Sequence, residues 1–303
     1  MSVRSRSLQI TCAALAAVAL WGASSVATKF AITGLPPLAV AMLRTVLAGA
    51  VALPLAIALR LPPPRRTTDR WSIALLAVAG FLAFPVLFSL GLNLTSAVHG
   101  AMILAMLPVA TGAFALMWDR RRPSRAWLSG CAIAVVGEAV LVLGRERAGG
   151  ATAGVAGDAL VLLSILFGAL GNVTGGRLQQ AGYPARAATL WAAVLATALL
   201  CPILPWIAPE VAWHLAMPAA WAGVAYLAFG VTILGYALWY WALGQGGIAR
   251  VGLLQFLQPV SGVLLAWALL GERLTGTLLL AMALVLLGVG VANNVGSRRP
   301  HAS

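Results

Sequence analysis

The chain has 303 residues, 61% of them hydrophobic and 9% charged, with a mean hydropathy of +0.96 and a net charge of +13. Soluble domains run about 45–50% apolar and about 25% charged, so a soluble globular fold is excluded. A basic balance of this size would point to nucleic acid in a soluble protein; here the arginines sit in short loops between apolar stretches, and no nucleic-acid partner is expected.

Apolar stretches of roughly 20 residues, enough to cross a bilayer, recur along the whole chain. An all-α integral membrane protein is expected, because helices satisfy their own backbone hydrogen bonds in lipid. Strands alternating as in a barrel are absent. Arg4 and Arg6, an apolar run and the small residues GASSVA have the form of a secretory signal, but nine further apolar segments follow, so the first is read as a retained span. Spans are expected at 8–32, 36–60, 71–92, 97–118, 126–144, 157–178, 185–207, 218–241, 250–270 and 274–295. Pro36-Pro37, Pro62-Pro63-Pro64, Pro123, Gly149-Gly150, Pro184 and Pro218 punctuate them. The longest connector, 145–156, lies at the midpoint. Cys12, Cys131 and Cys201 each lie in an apolar run without metal-ligand spacing.

With the N-terminus cytoplasmic, fifteen of the twenty Lys and Arg residues fall on the inside, and only Lys29, Arg145, Arg147 and Arg273 fall on the outside. Arg44 lies within a span. Both termini are therefore placed in the cytoplasm. Shifted by 150, Trp71 meets Trp221 and Gly80 meets Gly230; shifted by 151, Pro108-Val109 meets Pro259-Val260, Arg122 meets Arg273 and Gly137 meets Gly288. Five spans are thus followed by five related ones, residues 1–148 and 149–303. Because five is odd, the second copy enters from the opposite side, as in the inverted repeats of many secondary transporters. The corner Asp119-Arg120-Arg121-Arg122 would face the cytoplasm and its counterpart Gly271-Glu272-Arg273 the outside, where the latter reads as a structural helix corner.

The stretch LWGASSVATKFAITGLPPLAVAMLRTVLAG resembles the first two spans of EamA-type transporters in the drug/metabolite transporter superfamily. LAFGVTILGYALWYWAL and LLQFLQPVSGVLLAWALLGERLTG resemble the last three spans of a second EamA unit. The resemblance implies a ten-helix carrier of the bacterial inner membrane that exports amino acids or other small metabolites; the family includes YddG-type aromatic amino acid exporters. The first corner departs from the Gly-Glu-Arg pattern.

Intramembrane polar groups are the functional candidates, because lipid makes them costly. Trp21, Ser24 and Thr28 share a face of the first helix, where Ser and Thr can alternatively bond their own helix carbonyls. Phe81, Phe84 and Phe88 share a face of the third. On the eighth, Tyr226, Phe229, Tyr236 and Tyr240 fall within an arc of roughly 80°, with Trp239 beside it. His99, Met102 and Met106 form a stripe on the fourth helix, although a lone histidine at a helix end is often structural. Gln255 and Gln258 share a face just before Pro259, which frees the Gln255 carbonyl as Pro108 frees that of Leu104. Paired broken helices at matching positions point to a transport site. Pro85, Gly91, Pro108, Gly235, Gly244 and Pro259 are the expected hinges. Arg44 and Glu138, of opposite sign and each roughly 9–12 Å deep at 1.5 Å per residue, are expected to pair; a proton relay through Glu138 is the competing reading. Lys29 is expected to snorkel, Asp158 to start the sixth helix, and Asn172, beside Gly168, Gly171 and Gly175, to serve helix packing.

No phosphate-binding glycine loop, HExxH or cysteine cluster is present. An enzyme, a bound metal and a cofactor are therefore not expected. The expected function is a monomeric secondary carrier of amino acids working by alternating access. The alternatives are a multidrug or other metabolite carrier of the same fold and a passive channel-like facilitator, although no pore-lining ring is visible.

Overall fold

The computed structural model describes residues 3–120, 122–147, 152–207, 209, 211, 213–246, 254–255 and 257–294. Among them the chain is helical with no strand. Arg121, Arg250, the 148/149 repeat boundary and the start of the ninth expected span lie outside the described residues.

The helices are α1 (Val3–Gly22), α2 (Ser24–Ile32), α3 (Pro37–Ala58), α4 (Thr67–Leu76), α5 (Phe84–Leu94), α6 (Ala97–Leu104), α7 (Leu107–Trp118), α8 (Arg125–Arg147), α9 (Thr152–Gln180), α10 (Ala185–Leu200), α11 (Leu204–Ile207), α12 (Pro218–Ala225), α13 (Tyr236–Gly246), α14 (Leu257–Leu270) and α15 (Gly276–Asn294). Among the described residues six helical runs are long and apolar enough to cross a membrane: Arg6–Ile32, Pro37–Ala58, Thr67–Leu94, Ala97–Trp118, Gly154–Gln180 and Pro218–Trp239. Ala185–Leu200, Leu257–Leu270 and Gly276–Val291 are shorter apolar helices. The expected span 185–207 is broken: α10 stops at Leu200, and Pro202 lies in the turn before α11.

Two long runs are not plain α-helices. Ala77–Ala83 between α4 and α5, and Tyr226–Gly235 between α12 and α13, are π-helical. The wider turn changes the hydrogen-bond register, and side chains take over the backbone bonding there. Thr45 Oγ1 donates to Phe81 O (2.8 Å), Trp21 Nε1 to Val231 O (3.1 Å), and Thr232 Oγ1 to Leu227 O (2.9 Å). The two π segments overlap under a shift of 150 residues.

Other features recur in the same register. Arg120 and Gly271, related by 151, both end a helix with left-handed backbone, at φ 51° and 66°. Glycine supplies that conformation without strain, whereas the first corner spends an arginine on it. Helices α8 and α15 meet through a reciprocal pair: a Cβ on Gly137 would fall 2.9 Å from Val285 N, and one on Gly288 would fall 2.4 Å from Ala134 N. Small residues of this kind let backbones touch where lipid gives helices no hydrophobic drive to associate.

Candidate functional site: an aromatic cavity closed at one end

A cavity of about 300 Å³ lies inside the bundle. Its wall runs along α9 from Gly168 to the exposed Gln179 in the last turn, and continues over Ala185 and Thr189 of α10. Among the described residues nothing from the first half of α9, from α6 before Leu104 or from α14 after Gln258 lines it. The cavity therefore reaches the α9–α10 end of the bundle and stops short of the α5–α6 end.

Aromatic rings form much of the wall. Trp21 packs on Tyr236 and Trp239, with ring centroids 5.2 and 5.3 Å apart, and Phe84 stacks on Phe88 at 5.6 Å. Ser24, Arg44, Asn172, Gln179, Thr189, Gln255 and Gln258 supply polar groups. Neither Gln255 nor Gln258 spends its side-chain amide on another described residue.

The α5–α6 end is tied shut. Glu272, on the α14–α15 corner, accepts from the N–H groups of Ala97 and Val98 at 2.8 Å each, capping α6 with a full negative charge. Ser96 accepts from the His99 N–H (3.1 Å). Asp158, only 3% exposed, reaches across from α9: Thr95 Oγ1 donates to it, and His99 Nδ1 lies 2.9 Å from its Oδ2. Below these groups Gly22 and Gly262 bring α1 and α14 into backbone contact; a Cβ on Gly262 would fall 2.9 Å from Gly22 O. The opposite end carries Arg177, paired with Asp119 and stacked 4.9 Å over Trp118.

The structure gathers Trp21, Ser24, Phe84, Phe88, Tyr236, Trp239, Gln255 and Gln258 around the cavity. It places four other expected site residues elsewhere. Thr28 donates to the Ser24 carbonyl (2.8 Å), the local alternative for a helical hydroxyl. His99 is engaged at the closed end, and Met102 is fully buried in the core with Phe88 and Leu92. Phe229 is 41% exposed. The expected arc on the eighth helix assumed 100° per residue, and the π segment breaks that progression. Of the expected hinges, Pro85 follows the first π segment, Pro108 and Pro259 lie in the first turns of α7 and α14, and Gly235 closes the second π segment, whereas Gly244 lies inside α13. Gly91 is packed tightly on α9, its Cβ position 2.9 Å from Gly157 O.

Arg44 and Glu138 do not pair. Arg44 points into the cavity from α3. Glu138 follows the glycine by which α8 packs on α15, and its Oε1 has no hydrogen-bond partner among the described residues. Equal depth did not bring them together because their helices belong to different parts of the bundle. Asp158 also differs from expectation: it is the seventh residue of α9 and bonds across helices instead of starting its own. Asn172 and Phe81 join the lining; the glycine face beside Asn172 gave the signal, since glycines that admit a neighbouring helix also leave room for a cavity.

An all-helical membrane protein with an internal aromatic cavity is the frame of a small-molecule transporter. The EamA-like transporter family matches residues 9–143 and 155–294, and the chain belongs to that family. It is thus a multi-pass membrane transporter and not an enzyme. It is 30% identical to "Uncharacterized transporter YdeK" of Bacillus subtilis, over 91% of this chain and 93% of that protein. It is 32% identical to a protein of Salmonella typhimurium named "Probable amino-acid metabolite efflux pump", over 91% and 92%. A protein of Streptantibioticus cattleyicolor named "Probable terminal-alkyne amino-acid exporter" is 29% identical over 77% of each chain. A crystal structure aligns with a TM-score of 0.65 at 22% identity, covering 95% of this chain and 98% of that one, a likeness of fold alone.

Proposed function

We propose that the chain is a secondary carrier exporting small metabolites, amino acids first among them, across the bacterial inner membrane by alternating access. The observation that carries this reading is a cavity deep in the bundle, lined by aromatic rings and amide side chains, and reaching one end only. Relatives named for amino-acid efflux support the substrate class. The arrangement is read as ten spans in two inverted halves, 1–148 and 149–303, acting as a monomer with both termini cytoplasmic. Support comes from the family matching twice, from the π segments and helix corners in register, and from the reciprocal contact of Gly137 and Gly288. In that orientation the cavity faces the cytoplasm, where an exporter loads.

A closed end argues against a passive channel, which needs a continuous path. Counterflow in proteoliposomes tests the reading. Unlabelled amino acid on the far side is expected to accelerate entry of labelled amino acid. Flux without trans-acceleration would indicate a facilitator, and no flux across the twenty amino acids would remove the substrate class.

A further inference from the structure

Arg44 is the one charged side chain among the described residues of the cavity wall. It stands seven residues beyond Pro37, roughly 10 Å along α3 at 1.5 Å per residue, towards the closed end. Among the described residues its electrostatic neighbour is the phenol of Tyr236, and no carboxylate pairs with it; the described ion pairs are His99–Asp158 and Arg177–Asp119. Its position is held from two sides. The adjacent Thr45 donates to Phe81 O (2.8 Å), and its carbonyl accepts from Thr197 Oγ1 (3.0 Å). A guanidinium at this depth with no counter-ion among the described residues is costly, and its planar fork of donors matches a carboxylate.

We propose that Arg44 is an anion anchor and that the cavity takes small carboxylic acids with an apolar or aromatic body. This rests on the cavity being the transport site. The carboxylate meets Arg44 at the closed end, and the body lies among Phe81, Phe84, Phe88 and Trp21. An ammonium group finds no charged partner on the described wall, only neutral oxygens such as those of Ser24, Asn172, Gln255 and Gln258. The α-amino group is therefore tolerated but not required. N-acylated amino acids and arylalkanoic acids belong to the substrate class with amino acids, and amines of the same skeleton do not.

Calorimetric titration of the purified protein in nanodiscs tests this with phenylalanine, N-acetylphenylalanine, 3-phenylpropionate and phenethylamine. The three acids are expected to bind comparably and phenethylamine at least about tenfold more weakly. Arg44→Gln is expected to weaken the acids at least about tenfold and leave the amine unchanged, and Arg44→Lys to keep part of the affinity as a point charge. Wild-type protein binding the amine as tightly as the acids, or binding none of the acids, overturns the anchor without recourse to any variant. So does undiminished acid binding by Arg44→Gln. Flux of the same compounds into liposomes separates the two readings. Acids that bind through Arg44 but never cross would uphold the anchor and end the transport assignment. Amines that cross as readily as acids would uphold transport and end the anchor.

Discussion

Tyr183 shows how single side chains fasten the open end of the cavity. It lies in the α9–α10 corner outside the apolar spans, and its hydroxyl donates to Pro62 O at 2.7 Å. Trp191 Nε1 donates to the same carbonyl at 3.1 Å, so one loop oxygen between α3 and α4 holds two aromatic residues. Burial first, and the charge of Asp69 second, push the Tyr183 phenol from its ordinary 10 up to about 12. A raised phenol pKa means that the folded state prefers the protonated form. The stabilisation is complete below about pH 10 and is lost as the pH rises through about 12. Tyr183→Phe is expected to cost about 1 kcal/mol at pH 8, the net worth of one hydrogen bond, and to flatten the alkaline loss of stability. Thermal unfolding in detergent across this range measures both. Equal stability at pH 8 would show that the bond contributes nothing, and an unchanged alkaline profile that Tyr183 ionisation does not set it.

At the scale of elements the decisive contacts are between backbones. Gly137 and Gly288 each seat a facing helix so closely that a Cβ would strike main-chain nitrogen, which cannot rotate away. Gly137→Val and Gly288→Val are each expected to destabilise by about 2–3 kcal/mol, as overpacking does. If the halves are related as proposed, the two losses are similar, because the contacts are reciprocal. A large loss at one position with none at the other, in thermal melts, would count against that symmetry. The sequence carried these positions because glycine, proline and helix ends recur in it at a fixed offset. Apolar runs and the prolines and glycines between them made most helix positions legible, including the break before Pro108 but not the break after Leu200. Two kinds of feature were not legible. The π segments have no composition that distinguishes them from α-helix, so Phe229 was expected in the cavity and lies on the outside. Pairings across helices depend on which helices become neighbours, so Arg44 was matched to Glu138 by depth alone, and Asp158 was not matched to His99. Glu272 was read as a corner residue, and it is one. That its carboxylate also caps α6 follows from a meeting of elements 174 residues or more apart, which no local pattern encodes.

At the scale of the whole molecule, the two ends of the bundle differ in what would have to break for the cavity to change sides. The α5–α6 end is held by Glu272 on two N–H groups and by Asp158 on Thr95 and His99, charged contacts that fasten the start of α6 to α9 and to the α14–α15 corner. If the protein alternates, these contacts exist in the state open at α9–α10 and are lost in the other. Removing them then shifts the population towards the second state, by an amount set by their differential free energy. Charge-assisted hydrogen bonds contribute roughly 1.5–3 kcal/mol each, enough to move an equilibrium by tenfold or more. Asp158→Asn keeps the shape and removes the charge facing His99; Glu272→Gln does the same at the α6 cap. Gln179, exposed where the cavity meets the α9–α10 end, reports the state when replaced by cysteine in a background lacking Cys12, Cys131 and Cys201. Gln179→Cys is expected to react readily with a maleimide in the otherwise unaltered protein and several-fold more slowly when Asp158→Asn or Glu272→Gln is added. A labelling rate that neither substitution changes, in protein that still melts cooperatively, would mean that these carboxylates hold the fold together without favouring one state over the other.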